Sequence, residues 1–184
     1  MSHLARDLDQ IEPRAGETWI AVGNCFSLER DGENAIRCFQ RACQVDRDNA
    51  LPRTLSGHEF AARDAFLQAE QCFLDALSLD ARCYSAYYGL GLIAFRQERF
   101  DRAESCFRAA VKCNPTPLVL CQLAKVRRRA KDYKEALSLL TLATTKETKV
   151  KVSMIHLEKA QAHMLLKDYA VRDFCKSISC LPLA

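Results

Sequence analysis

Long apolar runs are missing from this sequence of 184 residues. No stretch approaches the roughly 18 consecutive apolar residues that a transmembrane helix needs, and residues 1–10 lack the apolar core of a signal peptide. Charge of a single sign is also missing, because 27 basic residues stand against 23 acidic ones. We therefore expect a chain that does not enter a membrane, and its net charge of +4 indicates no particular partner.

The short motifs that accompany common catalytic sites are absent as well. The sequence has no GxSxG, HExxH or P-loop pattern and no glycine-rich dinucleotide turn. No pair of acids stands out for general acid–base catalysis. The sequence thus predicts a protein that is not an enzyme and that uses no cofactor.

The ten cysteines do not have the spacing of a metal site. No CxxC occurs, and the pairs Cys38–Cys43 and Cys175–Cys180 are spaced wrongly for a zinc knuckle. We interpret the cysteines as reduced thiols that act as small buried hydrophobes. This interpretation predicts no metal site and places the chain in the nucleus or the cytoplasm.

What the sequence does contain is a repeat of 34 residues. Five columns return at that spacing in three consecutive units: Gly23, Gly57 and Gly91; Ala35, Ala69 and Ala103; Cys38, Cys72 and Cys106; Phe39, Phe73 and Phe107; Ala42, Ala76 and Ala110. This period is typical of the tetratricopeptide repeat, a helix–turn–helix unit that stacks into a solenoid. The sequence therefore predicts an all-α tetratricopeptide repeat solenoid, a right-handed superhelix.

The recurring side chains have distinct structural roles. In each repeat, the glycine lets the first helix (helix A) approach the second (helix B), the alanines leave room for neighbouring helices, and the phenylalanine fills the space between them. Trp19 belongs to the apolar stripe of the first complete repeat. The positions expected to hold the repeats together are Trp19, Gly23, Phe39, Gly57, Phe73, Gly91, Ala103 and Phe107.

The register of the repeat divides the chain into units. The predicted units are a truncated repeat with only its second helix (1–14), four complete repeats (16–49, 50–83, 84–116 and 117–150) and a degenerate fifth repeat (153–184). Solenoids normally need polar capping helices, and neither end of this array has one. We therefore expect a fragment of a longer array or a shortened relative.

Four segments carry a closer resemblance. WIAVGNCFSL (19–28), FQRACQVD (39–46), GHEF (57–60) and AYYGLGLIAFRQERF (86–100) resemble the C-terminal repeats of the anaphase-promoting complex subunit 3 family. The resemblance extends from about Leu4 to Tyr169. The related subunit 8 family shares GHE and YGLG but is less similar over the first segment.

The resemblance implies a specific function. Members of this family are non-catalytic scaffold subunits of a ubiquitin ligase that marks mitotic proteins for degradation in the cell cycle. Their C-terminal repeats offer a groove to the Ile-Arg tails of co-activators and of subunit 10. The implied partners of this chain are therefore such tails and other subunits of the complex, in the nucleus and cytoplasm.

Residues at the non-packing offsets of each helix A are expected to face that groove. These candidates are Asn24, His58, Tyr88, Leu92, Phe95, Arg96, Lys125, Arg128 and Arg129. Leu92 and its aromatic neighbours could receive an aliphatic side chain, and one of the last three cations could pair with a terminal carboxylate. Alternatively, the rings pack against the next helix A and the cations form a solvated face.

The sequence argues against two other functions. Co-chaperones of the same repeat class grip acidic tails through a carboxylate clamp, but only Asn24 matches that clamp. The other clamp positions hold Ile20, Leu55, Ser85 and Gly89, which cannot grip two carboxylates. The basic segment 125–131 lacks interleaved aromatic residues, so nucleic acid is not an expected partner. The remaining alternatives are another peptide-binding adaptor and a subunit 8 relative.

Overall fold

The computed structural model describes residues 16–146, 155 and 158–167 of the chain. The predicted truncated repeat (1–14), Cys175 and Cys180 lie outside these residues, and only part of the degenerate fifth repeat lies within them. No strand occurs in the described ranges. The all-α class predicted from the sequence is confirmed.

Eight α-helices follow one another between residues 16 and 146. They are α1 (Gly16–Leu28), α2 (Gly32–Val45), α3 (Ala50–Ala62), α4 (Phe66–Leu79), α5 (Tyr84–Arg96), α6 (Phe100–Cys113), α7 (Pro117–Arg129) and α8 (Tyr133–Lys146). Residues 158–167 are also helical. The chain forms two compact units, of which the first contains α1–α6 and the second contains α7, α8 and residues 158–167.

Each helix pair of the first unit is closed by a glycine against a phenylalanine ring. A Cβ atom added at Gly57 would lie 2.7 Å from the Phe73 ring, and one added at Gly91 would lie 2.6 Å from the Phe107 ring. Gly23 faces Phe39 in the same way. Since real Cβ atoms do not approach other atoms this closely, the rings occupy space that only glycine leaves free.

The alanine columns surround these rings. Ala69 and Ala76 on α4 are fully buried beside Phe73, and Ala103 and Ala110 on α6 are buried likewise. In the second unit, Leu140 on α8 is buried between two alanines of that helix. On the second helix of each repeat, one large buried apolar side chain is therefore flanked by two buried alanines.

Side chains at the helix boundaries define where the helices begin. Asp31 accepts a hydrogen bond from the backbone N–H of Asn34 at 3.2 Å, which caps α2. The Thr116 hydroxyl accepts from the backbone N–H of Val119 at 3.4 Å and caps α7. Pro117 stands in the first turn of α7, where its missing N–H costs no hydrogen bond.

The turn inside each repeat contains a residue in the left-handed conformation. Arg30, Asp64, Glu98 and Lys131 have φ angles of 62°, 58°, 59° and 64°. None is a glycine, although a side chain makes this conformation unfavourable. The repeats thus hold one strained residue at the same place in every turn.

This strain predicts a stabilising substitution. Glu98→Gly should raise the free energy of unfolding by about 0.5 to 1 kcal/mol, because glycine adopts a positive φ without a steric penalty. Gln97→Gly is the matched control, since Gln97 has a φ of −85° and gains nothing from glycine. Urea unfolding of both variants checks this, and a loss of stability in Glu98→Gly would contradict it.

Candidate peptide-binding groove

A cavity opens between α3 and α5, the first helices of two neighbouring repeats. Its volume is about 210 Å³, and its lining residues are His58, Ala61, Ala62, Gly89, Leu92, Ile93 and Arg96. Three of them, His58, Leu92 and Arg96, are among the groove candidates of the sequence analysis. The lining is apolar except for one imidazole and one guanidinium, so the α3–α5 cavity suits an aliphatic group with a polar neighbour.

The His58 imidazole forms one wall of the cavity. Its Nε2 atom lies 3.1 Å from the Ser85 hydroxyl on α5, and its ring packs edge-on against Phe73 at a centroid distance of 5.0 Å. Burial lowers the pKa of His58, and the neighbouring Glu59 carboxylate only partly opposes that effect. His58 is therefore a neutral side chain near pH 7 that links α3 to α5.

Arg96 lies at the C-terminal end of α5, beside the cavity. One of its Nη atoms donates to the backbone carbonyl of Ala61 at 2.8 Å and lies 3.4 Å from a carboxylate oxygen of Asp64. The side chains of Arg96 and Asp64 are 52% and 76% exposed. Ion pairs this exposed are weak, so Arg96 can exchange Asp64 for another carboxylate at little cost.

The two aromatic candidates contact other rings of the first unit. Tyr88 is half-buried, with its ring 6.4 Å from His58 and 6.0 Å from Phe107. Phe95 packs edge-on against Phe100, the first residue of α6, at 5.6 Å. The Phe95 ring therefore closes the turn between α5 and α6. This structural role competes with the expectation that Phe95 faces an aliphatic ligand.

Asn24 is the groove candidate on α1. It is exposed, as a peptide-contacting amide requires, and Leu28, four residues later, is 86% exposed. Ile20, four residues earlier, is buried. Glu59 accepts a hydrogen bond from the Ser27 hydroxyl, which joins α1 to α3.

In the second unit, two basic candidates are held by an acidic residue of the chain. Lys125 Nζ lies 3.5 Å from Oε1 of Glu158, and an Arg128 Nη atom lies 3.2 Å from Oε2 of the same carboxylate. Arg128 also donates to the side-chain carbonyl of Gln161. All three charged side chains are less than a quarter exposed, with fractions of 24%, 22% and 14%. Arg129 is exposed.

Gly89 is a cavity residue that the repeat analysis did not select. A Cβ atom added there would overlap the ring of Phe73, so the helix passes directly over that ring. The corresponding positions one repeat earlier and later hold Leu55 and Leu123. The signal for Gly89 in the sequence is that a glycine replaces the leucine found at this position in the two neighbouring repeats.

Burial affects three of the thiols in the first unit, those of Cys43, Cys72 and Cys106. Burial raises the pKa of Cys72 to about 11, and it also raises the pKa of Cys43 and Cys106. Because the thiolate is the nucleophilic form, these thiols are poor nucleophiles at neutral pH. Cys38 is fully buried, whereas the other three are only partly buried.

Neither a metal cluster nor a membrane-spanning helix occurs among the residues that the structure describes. Within residues 16–146, 155 and 158–167, no group of three or more histidine, cysteine or acidic side chains could hold a metal ion. No helix in those ranges is sufficiently long and apolar to cross a bilayer.

The lowered pKa of His58 predicts a pH-dependent stability. The unfolded chain takes up a proton on His58 below about pH 6.5, whereas the folded chain resists it. Stability from this group is therefore complete above that pH and is lost as the pH falls towards the folded pKa. Thermal unfolding at pH 7.5 and 5.5 should show a smaller loss on acidification for His58→Gln than for the wild type. Equal losses would contradict the prediction.

Comparisons with known proteins agree with this architecture. A family model described as a tetratricopeptide repeat matches residues 55–116. The crystal structure of the hetero-tetramer Cut9-Hcn1 of the anaphase-promoting complex superposes with a TM-score of 0.78. It is 21% identical and covers 91% of this chain and 33% of that chain, which supports the fold alone. The predicted tetratricopeptide repeat solenoid is confirmed.

Two sequence relatives share a higher identity with this chain than this crystal structure does. Anaphase-promoting complex subunit 3 of Schizosaccharomyces pombe is 34% identical over 92% of this chain and 25% of its own length. The cell division cycle protein 27 homolog of Caenorhabditis elegans is 40% identical over 67% of this chain and 16% of its own length. The chain thus spans a quarter or less of these two relatives. It belongs to the tetratricopeptide repeat proteins, and its sequence is related to anaphase-promoting complex subunit 3.

Proposed function

We propose that this chain is a non-catalytic scaffold of the anaphase-promoting complex ubiquitin ligase, or part of such a scaffold. In this proposal it binds other subunits of the complex and the C-terminal Ile-Arg tails of co-activators or of subunit 10. The tails bind along the first helices of its repeats. The chain would act in cell-cycle protein degradation, in the nucleus and the cytoplasm.

The observation that carries this proposal is the similarity to subunit 3 over 92% of the chain. A relationship that extends over several consecutive repeats goes beyond the general features of the repeat class. Because the chain spans only 25% of that relative, the partners of the whole protein enter here as part of the proposal.

The α3–α5 cavity supports the tail-binding part of the proposal. An apolar cavity on the first helices of two adjacent repeats is a suitable place for one aliphatic side chain of an extended peptide. The wall residue His58 is fixed by Ser85 and Phe73. A cavity that is already formed reduces the ordering cost of binding.

The scaffold part of the proposal rests on how the polar groups near the cavity are used. His58 and Arg96 both join α3 to α5, through Ser85 and the Ala61 carbonyl. These groups stabilise the repeat stack, which favours binding over chemistry.

A peptide ending in Ile-Arg should bind the full chain, and Leu92→Glu should weaken that binding about tenfold or more. The reason is that a charged carboxylate in place of the apolar Leu92 side chain would oppose the burial of an aliphatic ligand group in the α3–α5 cavity. Leu67→Glu is the matched control, because Leu67 is 83% exposed and does not line the cavity. Fluorescence anisotropy with a labelled peptide measures both affinities.

Circular dichroism should show that both variants remain folded. Unchanged affinity in a folded Leu92→Glu variant would remove the cavity from the proposal. A tagged chain that recovers no anaphase-promoting complex subunit from dividing cells would contradict the scaffold role.

A further inference from the structure

Two of the candidate cations in the second unit already pair with an acidic side chain of the chain itself. Lys125 and Arg128 together hold the carboxylate of Glu158, whose side chain is 14% exposed. A partner's carboxylate would have to displace that side chain before it could pair with either cation. These two residues are therefore poor candidates for the anchor of a peptide terminus.

Arg96 is the cation that borders the α3–α5 cavity. The other ionisable side chain of its lining, His58, is held neutral by burial. Arg96 forms an ion pair with Asp64 at 3.4 Å, and the exposed Glu98 follows it by two residues in the chain. A guanidinium with one exposed partner can accept a second carboxylate, and its planar fork suits a carboxylate in particular.

The spacing between the cavity and the guanidinium fits the end of an extended peptide. Leu92 and Arg96 are four residues apart on α5, so they lie on one face of the helix with their Cβ atoms roughly 5–6 Å apart. An extended chain advances about 3.3–3.6 Å per residue. A side chain in the cavity would therefore lie within about two residues of a carboxylate on Arg96.

Gly89 sets how α5 packs at this pair of repeats. The absence of a side chain at Gly89 lets α5 pass directly over the Phe73 ring, next to the cavity that Leu92 and Ile93 also line. The corresponding residues of the neighbouring repeats are Leu55 and Leu123, whereas here the Phe73 ring fills the space that a side chain would need. The packing of α5 on Phe73 is thus a local departure from the repeat pattern.

We propose that Arg96 binds the C-terminal carboxylate of a peptide whose penultimate aliphatic side chain occupies the α3–α5 cavity. This inference rests on the proposed function and specifies which end of the tail the first unit recognises. On binding, Arg96 exchanges Asp64 for the ligand's terminal carboxylate and keeps its hydrogen bond to the Ala61 carbonyl. The cations held by Glu158 take no part.

The test compares two labelled peptides that end in Ile-Arg, one with a free carboxylate and one with a C-terminal amide. The wild-type chain should bind the free acid about tenfold more tightly, because the amide removes the charge that Arg96 recognises. In Arg96→Gln this preference should fall to about twofold or less. In Arg128→Gln, the matched control, it should remain.

A second series tests the cavity. Replacing the penultimate isoleucine by alanine should weaken binding to the wild-type chain about tenfold, and binding to Leu92→Glu, already weak, by much less. Circular dichroism confirms folding of each variant.

The possible failures are distinguishable. Binding of both peptides with equal affinity would overturn the inference but leave tail binding intact. A preference for the free acid that survives Arg96→Gln but is lost in Arg128→Gln would place the carboxylate on the second unit and overturn the inference as well. No binding of either peptide to the folded wild-type chain would overturn both the inference and the tail-binding proposal.

Discussion

The close contact between a glycine of one helix and a phenylalanine ring of the next is the constraint on which the repeats depend. Gly23, Gly57 and Gly91 face Phe39, Phe73 and Phe107 in the same way. Because a ring fits only where no Cβ intervenes, this contact fixes the distance and rotation of the two helices together. The buried alanines on either side then admit the neighbouring helices.

In the proposed function, binding depends on residues that depart from the repeat pattern. Gly89 stands where the two neighbouring repeats have leucine, and it lets α5 pass over the Phe73 ring beside the α3–α5 cavity. His58 and Arg96 line that cavity and bridge α3 to α5. The regular contacts define the stack, and the irregular position carries the proposed site.

The sequence was sufficient to predict the fold because periodic small and aromatic residues report directly on repeated packing. It was less informative about the site, because helical offsets identify a face but not the partners on it. The pairing of Lys125 and Arg128 with Glu158 depends on how α7 meets the helical residues 158–167. Likewise, the Phe95–Phe100 contact depends on the shape of a turn whose Glu98 has a positive φ.

A double-mutant cycle on Gly91 and Phe107 tests the central contact most directly. Gly91→Ala should lower the free energy of unfolding by about 1–3 kcal/mol, because the added methyl group overlaps the ring. In the Phe107→Leu background the same change should cost at least about 1 kcal/mol less. Additive effects, equal within about 0.5 kcal/mol, would contradict the account, since the two side chains would then not share the space that defines the repeat.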